Sequence, residues 1–329
     1  MNIYDIAKKA GVAASTVSRV VNDKPGIKAE TREKIRRLLK KYNYEPNQTA
    51  RGLVNRTSHT IGILMPDIRV LNHTACAYTV QREMAANGYC CFIVNTGEDF
   101  DEIAVQMRLL RQRQIDGLIV IGSFYQCPEM EEKVREFFPA IPVVMANATL
   151  DLPNVHSVML DEITGVSEMV DSLWRKGKRN FAFVIPEKRE ASVGRKLKGF
   201  KHGIAVHGRR RDLWIYHCEN SPRGGYDVAV EIVKRHPKVD AIMFCWDLEA
   251  TGALRALVDM GIDIPGQVAV TGVDNSLYCE LSYPKLSSVD VKPRDMSYAA
   301  ARIMLDLLAG VETVRVLVIP PRLCEREST

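Results

Sequence analysis

Residues 2–53 read NIYDIAKKAGVAASTVSRVVNDKPGIKAETREKIRRLLKKYNYEPNQTARGL. Three short helices can be drawn from this string. Asn2 can cap the first, with Asp5 as the return partner of a capping box, and Ile3, Ile6 and Ala7 give it one apolar face. Gly11 breaks that helix. The second begins near Ala13, with Val17, Val20 and Val21 on one stripe and Ser15, Thr16, Ser18, Arg19 and Asn22 on the other. Lys24-Pro25-Gly26 ends it. The third runs from about Ala29 to Lys41, with Ile35, Leu38 and Leu39 inward and Lys/Arg outward.

Two helices joined by a glycine turn, the second showing small polar residues and one Arg, form a helix-turn-helix pattern. A helix entering the major groove must lack bulk. Its Arg can pair bidentately with guanine, while hydroxyls and amides position phosphates. Charge agrees. Residues 1–58 hold 13 Lys/Arg and 5 Asp/Glu, a net +8, so with a total of +5 the remaining residues carry −3. A basic head on a mildly acidic body reads as a polyanion-binding module joined to something with another task.

Other classes are excluded by composition. The chain has 329 residues, 46% apolar and 26% charged, which are ordinary globular values. No apolar run approaches the roughly 20 residues that span a bilayer, and the first residues lack a signal-peptide pattern. The eight Cys are dispersed with no C-x-x-C. A soluble cytoplasmic protein of two or three domains is the expectation. No His/Cys spacing suits a metal, and neither H-E-x-x-H nor G-x-S-x-G occurs. GRKLKGFK (194–201) has the Gly-x4-Gly of a phosphate loop, but Phe200 follows where Lys-Ser/Thr is needed. No enzyme, cofactor or metal site is expected.

From residue 60 onward, apolar runs alternate with amphipathic stretches, the pattern of an α/β fold with parallel sheets. A faint internal repeat appears. IGILMP (61–66) is similar to FAFVIP (181–186), CFIVN (91–95) to YHCEN (216–220), IDGLIVIGS (115–123) to VDAIMFCWD (239–247), and PVVMANA (142–148) to VAVTGVDN (268–275). Near-constant offsets predict two copies of one doubly wound unit, resembling a type I periplasmic binding protein. A strand at 286–291, a helix from Pro293 to about Leu308 that returns to the first half, and a last strand at 313–319 complete it. Three crossovers near 160, 291 and 320 would form a hinge. The expected domains are 1–45 (helix-turn-helix), 46–59 (hinge segment) and 60–329 (body). In the body, subdomain one is about 60–160 plus 292–319, and subdomain two about 161–291 plus 320–329.

The whole chain resembles the lactose-repressor/galactose-repressor family. The resemblance rests on D-x-A-x-x-A-G-V (5–12), TVSRVVN (16–22), Thr31-Arg32 and Y-x-P-N-x-x-A-R-x-L (44–53), and continues through the body's strand motifs. It implies a homodimeric transcription regulator, most simply a repressor, on palindromic double-stranded operator DNA, controlled by a small sugar-like effector. It further implies base reading by Ala14, Ser15 and Arg19, and phosphate contacts from Tyr4, Thr16, Ser18 and Asn22. Residues 46–59 would contain a hinge helix that orders on DNA, with Arg51 and Leu53 at minor-groove positions. Ala13 departs from the family's Ser at the start of the second helix.

In open α/β sheets, ligands bind beyond the carboxyl ends of the strands. On that ground, and on the family's pocket motifs, Arg195, Asp247 and Asp274 are the main effector-site candidates. Asn72, His73, Ser123, Asn147, Asn220 and Trp246 fall on strand ends or variable pocket positions. VLNH (70–73), Trp246 and Asn220 depart from the family's usual residues, so no member's effector is carried over. Two other readings stay open: a regulator answering to a protein partner, and a solute-binding protein, against which the basic head and missing export signal argue.

Overall fold

The computed structural model describes residues 2–21, 23–42, 44, 57–187, 190–208 and 213–329. It divides into two compact units, residues 1–59 and 60–329.

In the first unit, α1 (Ile3–Ala10) is closed by the capping box: Asp5 N donates to Asn2 Oδ1 at 3.0 Å, and Asn2 N to Asp5 Oδ2 at 2.9 Å. Gly11, at φ 72°, ends it in the left-handed region that glycine enters without strain. Helix α2 (Ala14–Val21) and α3 (Ala29–Lys41) follow. Ile6, Ala7, Ala10, Val17, Val20 and Ile35 form a common core, with Tyr42 and Tyr44 packed against it as supports. The α2–α3 turn is pinned by Asp23, which accepts from Arg32 at 3.1 Å and Arg36 at 2.8 Å. Arg32 also donates to the Lys24 carbonyl at 2.7 Å.

The second unit holds two six-stranded sheets of matching order. One contains β1 (Thr60–Met65), β2 (Cys90–Asn95), β3 (Gly117–Ile121), β4 (Val143–Ala146), β5 (Val155–Leu160) and β11 (Val316–Ile319), in the order β11-β5-β4-β3-β1-β2. The other contains β6 (Phe181–Pro186), β7 (Trp214–Cys218), β8 (Ala241–Phe244), β9 (Ala269–Val273), β10 (Ser287–Asp290) and β12 (Arg322–Cys324), in the order β12-β10-β9-β8-β6-β7. The four repeated sequence pairs become β1/β6, β2/β7, β3/β8 and β4/β9. Ile63 lies opposite Ile93 and Ile119 in one sheet, as Val184 lies opposite Tyr216 and Phe244 in the other. Strands β3, β4, β6, β8 and β9 are buried at every residue, because helices cover both faces of a parallel sheet.

Helices α4 (Leu71–Ala86), α5 (Phe100–Gln112), α6 (Pro128–Phe137) and α12 (Pro293–Leu308) serve the first sheet. Helices α7 (Glu162–Arg175), α8 (Ala191–Val206), α9 (Pro222–Arg235), α10 (Asp247–Asp259) and the short α11 (Tyr278–Leu281) serve the second. The chain passes between the sheets after β5, after β10 and after β11. Helices α9 and α10 touch backbone to backbone: a Cβ on Gly252 would fall 1.8 Å from the Pro222 carbonyl oxygen.

One expectation is corrected here. The last strand is not 313–319. Residues 322–324 add β12, antiparallel to β10, with Ser288 opposite Cys324. Three residues are too few for a period to be read. Beyond it, Ser328 is fully buried; its hydroxyl donates to the Val270 carbonyl at 2.7 Å and accepts from Ser287 N at 2.8 Å.

Candidate functional sites

On the first unit, α2 presents Ser15 and Arg19 to solvent four residues apart, hence on one face. Arg19 is already oriented: its Nη2 donates to the Pro25 carbonyl at 3.0 Å. Gly26, at φ 92°, faces that guanidinium, and a Cβ there would come within 3.3 Å of it. Thr16 and Ser18 are half-buried at the helix flanks, and Tyr4 is 72% exposed. Ala14 is half-buried and packs on the three-helix core, so it offers less surface than Ser15. Asn22, Arg51 and Leu53, with most of the 46–59 hinge segment, lie outside the described residues.

In the second unit, the carboxyl ends of β1, β3, β4, β8 and β9 surround a cavity of about 470 Å³. Asn72, His73, Ser123, Asn147, Asn220, Trp246, Asp247 and Asp274 all line it. Arg195 does not. Its Nε donates to Glu162 Oε2 at 2.6 Å, its Nη1 to Gln126 Oε1 at 3.2 Å, and its Nη2 to Asn147 Oδ1 at 2.7 Å and to the Asn147 carbonyl at 3.2 Å. It thus ties α8 to two loops of the other half. Ser123 and Glu190 make a second tie, at 2.8 Å.

A cation that does line the cavity is Lys196, deep inside, while Arg69 lines it at the mouth. It is 1% exposed, and its Nζ donates to the Cys245 carbonyl at 2.9 Å. It stands 3.9 Å from Asp274, 4.0 Å from Glu162 and 5.4 Å from the Trp246 ring centre. The reason lies in helical spacing. Val193, Lys196, Phe200 and Ile204 recur at three- and four-residue intervals on the buried stripe of α8. Lys196 is therefore carried inward with them, and Arg195 is turned about 100° away. A lysine inside an apolar stripe was the signal that sequence reading passed over.

Glu162, also passed over, is the first residue of α7 and is 1% exposed. Besides Arg195 it accepts from the Ser192 hydroxyl and from Asn147 Nδ2 at 3.3 Å. Asp67 at the mouth accepts from Arg69 at 2.7 Å, and that guanidinium lowers its carboxyl to about 2. His73 Nδ1 lies 3.1 Å from the Asp67 carbonyl, and burial lowers its basicity.

Asp247 is the first residue of α10. Its Oδ1 accepts from Ser288 at 2.6 Å and its Oδ2 from Ser276 N at 2.7 Å. Gly272 in β9 makes room: a Cβ there would lie 2.2 Å from Asp247 Oδ1. Burial pushes the Asp247 pKa up against those donors, and raises Glu249 behind it to about 7. Asp274 follows β9 at φ 114°. Burial pushes its carboxyl to about 8, against the pull of Lys196. Burial also works against the charge on Lys196, but Asp274 and Glu162 outweigh it and raise its pKa.

The arrangement offers polar groups from both halves and the aromatic rings of Trp246 and Tyr278. Among the described residues no group of His, Cys, Asp or Glu is placed to hold a metal ion, and no helix is long and apolar enough to cross a membrane. The stretch 194–201 lies inside α8 and forms no phosphate-binding turn.

The family model of bacterial regulatory proteins, lacI family, matches residues 2–47, and that of the periplasmic binding protein-like domain matches residues 170–329. An HTH-type transcriptional regulator of Lachnoclostridium phytofermentans is 27% identical over 332 residues, covering 100% of this chain and 99% of that protein. The lac repressor dimer bound to operator and the anti-inducer ONPF superposes with a TM-score of 0.90 at 20% identity, over 100% of this chain and 98% of the other. The complex of the transcriptional regulator CelR with cellobiose gives 0.74 at 24% identity, over 100% of both chains. A helix-turn-helix head and a paired-sheet body thus recur together along the whole chain, which carries the DNA-binding head of the lacI family of bacterial regulatory proteins and is a DNA-binding transcription regulator.

Proposed function

We propose that this regulator binds a palindromic operator as a homodimer, through α2 of each head, and that a sugar-like effector in the 60–329 cleft sets its operator affinity. The observation that carries this is the polar cavity at the strand ends of both sheets. Such a cavity can respond to a ligand by changing the angle between the halves. The cellobiose held by CelR supports a carbohydrate ligand.

In this reading the effector meets Lys196, Asp247, Asp274 and Trp246. Asn72, His73, Ser123, Asn147 and Asn220 add contacts nearer the rim. Arg195 sets the closed geometry from behind. Base reading falls to Ser15 and Arg19, phosphate contact to Tyr4, Thr16, Ser18 and Asn22, and minor-groove contact to Arg51 and Leu53 in the 46–59 hinge segment. Dimerisation is supported by apolar side chains left exposed on both halves: Phe92 (40%) and Ile93 (42%) on the edge strand β2, and Leu281 (72%) and Tyr283 (84%) beyond β9. The regulator acts as a switch and carries out no chemical step.

The test is operator titration by fluorescence anisotropy, across a panel of sugars, with calorimetry for direct binding. A sugar that binds the full chain and shifts operator affinity supports the reading. Operator affinity unmoved by every bound sugar would transfer control to a protein partner.

A further inference from the structure

The turn after α2 holds a carboxylate where a helix end commonly takes glycine. Asp23 N donates to the Val20 carbonyl at 3.2 Å, and Lys24 N to the Arg19 carbonyl at 2.9 Å. These two bonds close a Schellman motif, with Asp23 at its left-handed position, φ 48°. Glycine takes that conformation freely, whereas an aspartate there is strained. What Asp23 adds over glycine is its carboxylate, and the carboxylate is engaged. Its Oδ1 accepts from Arg32 Nη1 at 3.1 Å and from Arg36 Nη2 at 2.8 Å. Arg32 Nη2 donates in turn to the Lys24 carbonyl at 2.7 Å.

Fold stability does not account for this network. The Asp23 side chain is 74% exposed, and an exposed ion pair contributes little. Its charge also runs against the task of the head. Ser15, Arg19 and Asp23 are spaced four apart, so Asp23 continues the exposed face of α2 past the helix end. Of the five acids in residues 1–58 (Asp5, Asp23, Glu30, Glu33 and Glu45), only Asp23 keeps that spacing. It places a negative charge on the face that meets a polyanion and draws two guanidiniums to itself. Two residues on, the Pro25 carbonyl accepts from Arg19 Nη2 at 3.0 Å. The turn fastened through Asp23 is therefore the turn that orients the reading arginine.

We propose that Asp23 is a specificity-determining residue of the DNA-binding head. The inference rests on α2 being the reading helix. By fixing the turn, Asp23 keeps Arg19 ordered before DNA arrives, which favours the sequence whose base edge Arg19 meets. By holding Arg32 and Arg36, it withholds two cations from phosphates, which carry no sequence information, and so weakens binding to every duplex. The strain at φ 48° is kept for the sake of selectivity.

The experiment is fluorescence anisotropy of the full chain on two duplexes, across about 50–200 mM salt. One duplex is selected by the wild-type chain from a library with a randomised palindromic core; the other is its scrambled counterpart. Asp23→Gly removes the carboxylate and suits the turn, so its melting curve should match the wild type. Its ratio of selected to scrambled affinity should fall about tenfold, since a long side chain in each half-site must now be ordered on binding. Scrambled DNA should bind more tightly, with a log–log salt slope steeper by roughly 2, one freed phosphate cation per head. Asp23→Asn tolerates the turn and keeps an acceptor there. It should restore most of the ratio while the scrambled duplex stays more tightly bound.

Tighter binding of both duplexes with an unchanged ratio would reduce Asp23 to a net charge and overturns the proposal. Parallel loss on both would make it a folding residue and overturns it as well. Arg19→Ala separates the proposal from the reading beneath it. A ratio that survives Arg19→Ala overturns both; a ratio lowered by Arg19→Ala and untouched by Asp23→Gly overturns the proposal alone.

Discussion

Arg195→Met separates a residue that touches the effector from one that shapes the site. The methionine keeps much of the stem volume and deletes the guanidinium. It leaves Glu162, 1% exposed, without its closest cation. Breaking a buried ion pair by removing one partner costs about 3–5 kcal/mol. The charge-assisted bonds from that guanidinium to Gln126 and Asn147 add up to about 1 kcal/mol each, discounted from about 1.5–3 because those loops can reach water once the halves part. A loss of about 4 kcal/mol is expected, a large share of the ~5–15 kcal/mol that holds a domain folded. Urea denaturation of the 60–329 body, followed by circular dichroism, measures it. Glu162→Gln in the same chain should recover about half, since no carboxylate then stays buried unpaired. A loss under about 1 kcal/mol in Arg195→Met, coupled with abolished effector binding, would refute the reasoning and return Arg195 to direct ligand contact.

The pH dependence of stability follows from Asp274. Its folded pKa is raised above the unfolded value of about 3.9, so its contribution is full below pH 4 and is lost as pH rises through about 8, at up to ~1.4 kcal/mol per pH unit. Asp274→Asn should remove about one proton from that slope and be more stable than the wild type at pH 9 in urea melts; an unchanged slope would mean the carboxyl ionises freely. Arg19→Ala should cost about 1–3 kcal/mol on operator DNA at one base pair per half-site. Equal loss on random DNA, read by anisotropy, would make Arg19 a phosphate contact only. Leu53→Ala should reduce operator bending and the effector's influence while leaving non-specific binding, which rests on phosphates. Wild-type bending in a gel-shift phasing assay would reduce 46–59 to a plain linker.

The elements with a strong period were legible. Asn2 with Asp5, the valine stripe of α2, and the paired strands β1/β6 and β3/β8 each carry a local pattern that packing then reinforces. That candidate residues at strand ends share one cavity was legible for the same reason, since topology alone sends Asn147, Trp246, Asp247 and Asp274 to its wall. What stayed hidden lies where two patterns compete. Lys196 reads as a surface cation by type and as a core position by spacing, and spacing wins because its neighbours Val193 and Phe200 fix the rotation of α8. Glu162 gave no signal, because its partner Arg195 is 33 residues away. Strand β12 depends on pairing with β10, a tertiary event that three residues cannot announce.

The threefold crossing between the sheets has a consequence for how the protein is made. The head is complete once residue 59 has left the ribosome. Neither body sheet is. The first waits for β11 at 316–319, after the second sheet's β6 to β10 have already emerged, and the second waits for β12 and for the Ser328 stitch to Val270. At about 5–20 residues per second, the nascent chain spends roughly ten seconds or more with open strand edges on both unfinished halves. The two halves mature almost together, once residues 316–328 have emerged. Misfolding in this body is therefore governed by events after residue 316 has been made, and a slow codon stretch placed before it would lengthen the exposed interval for both halves at once.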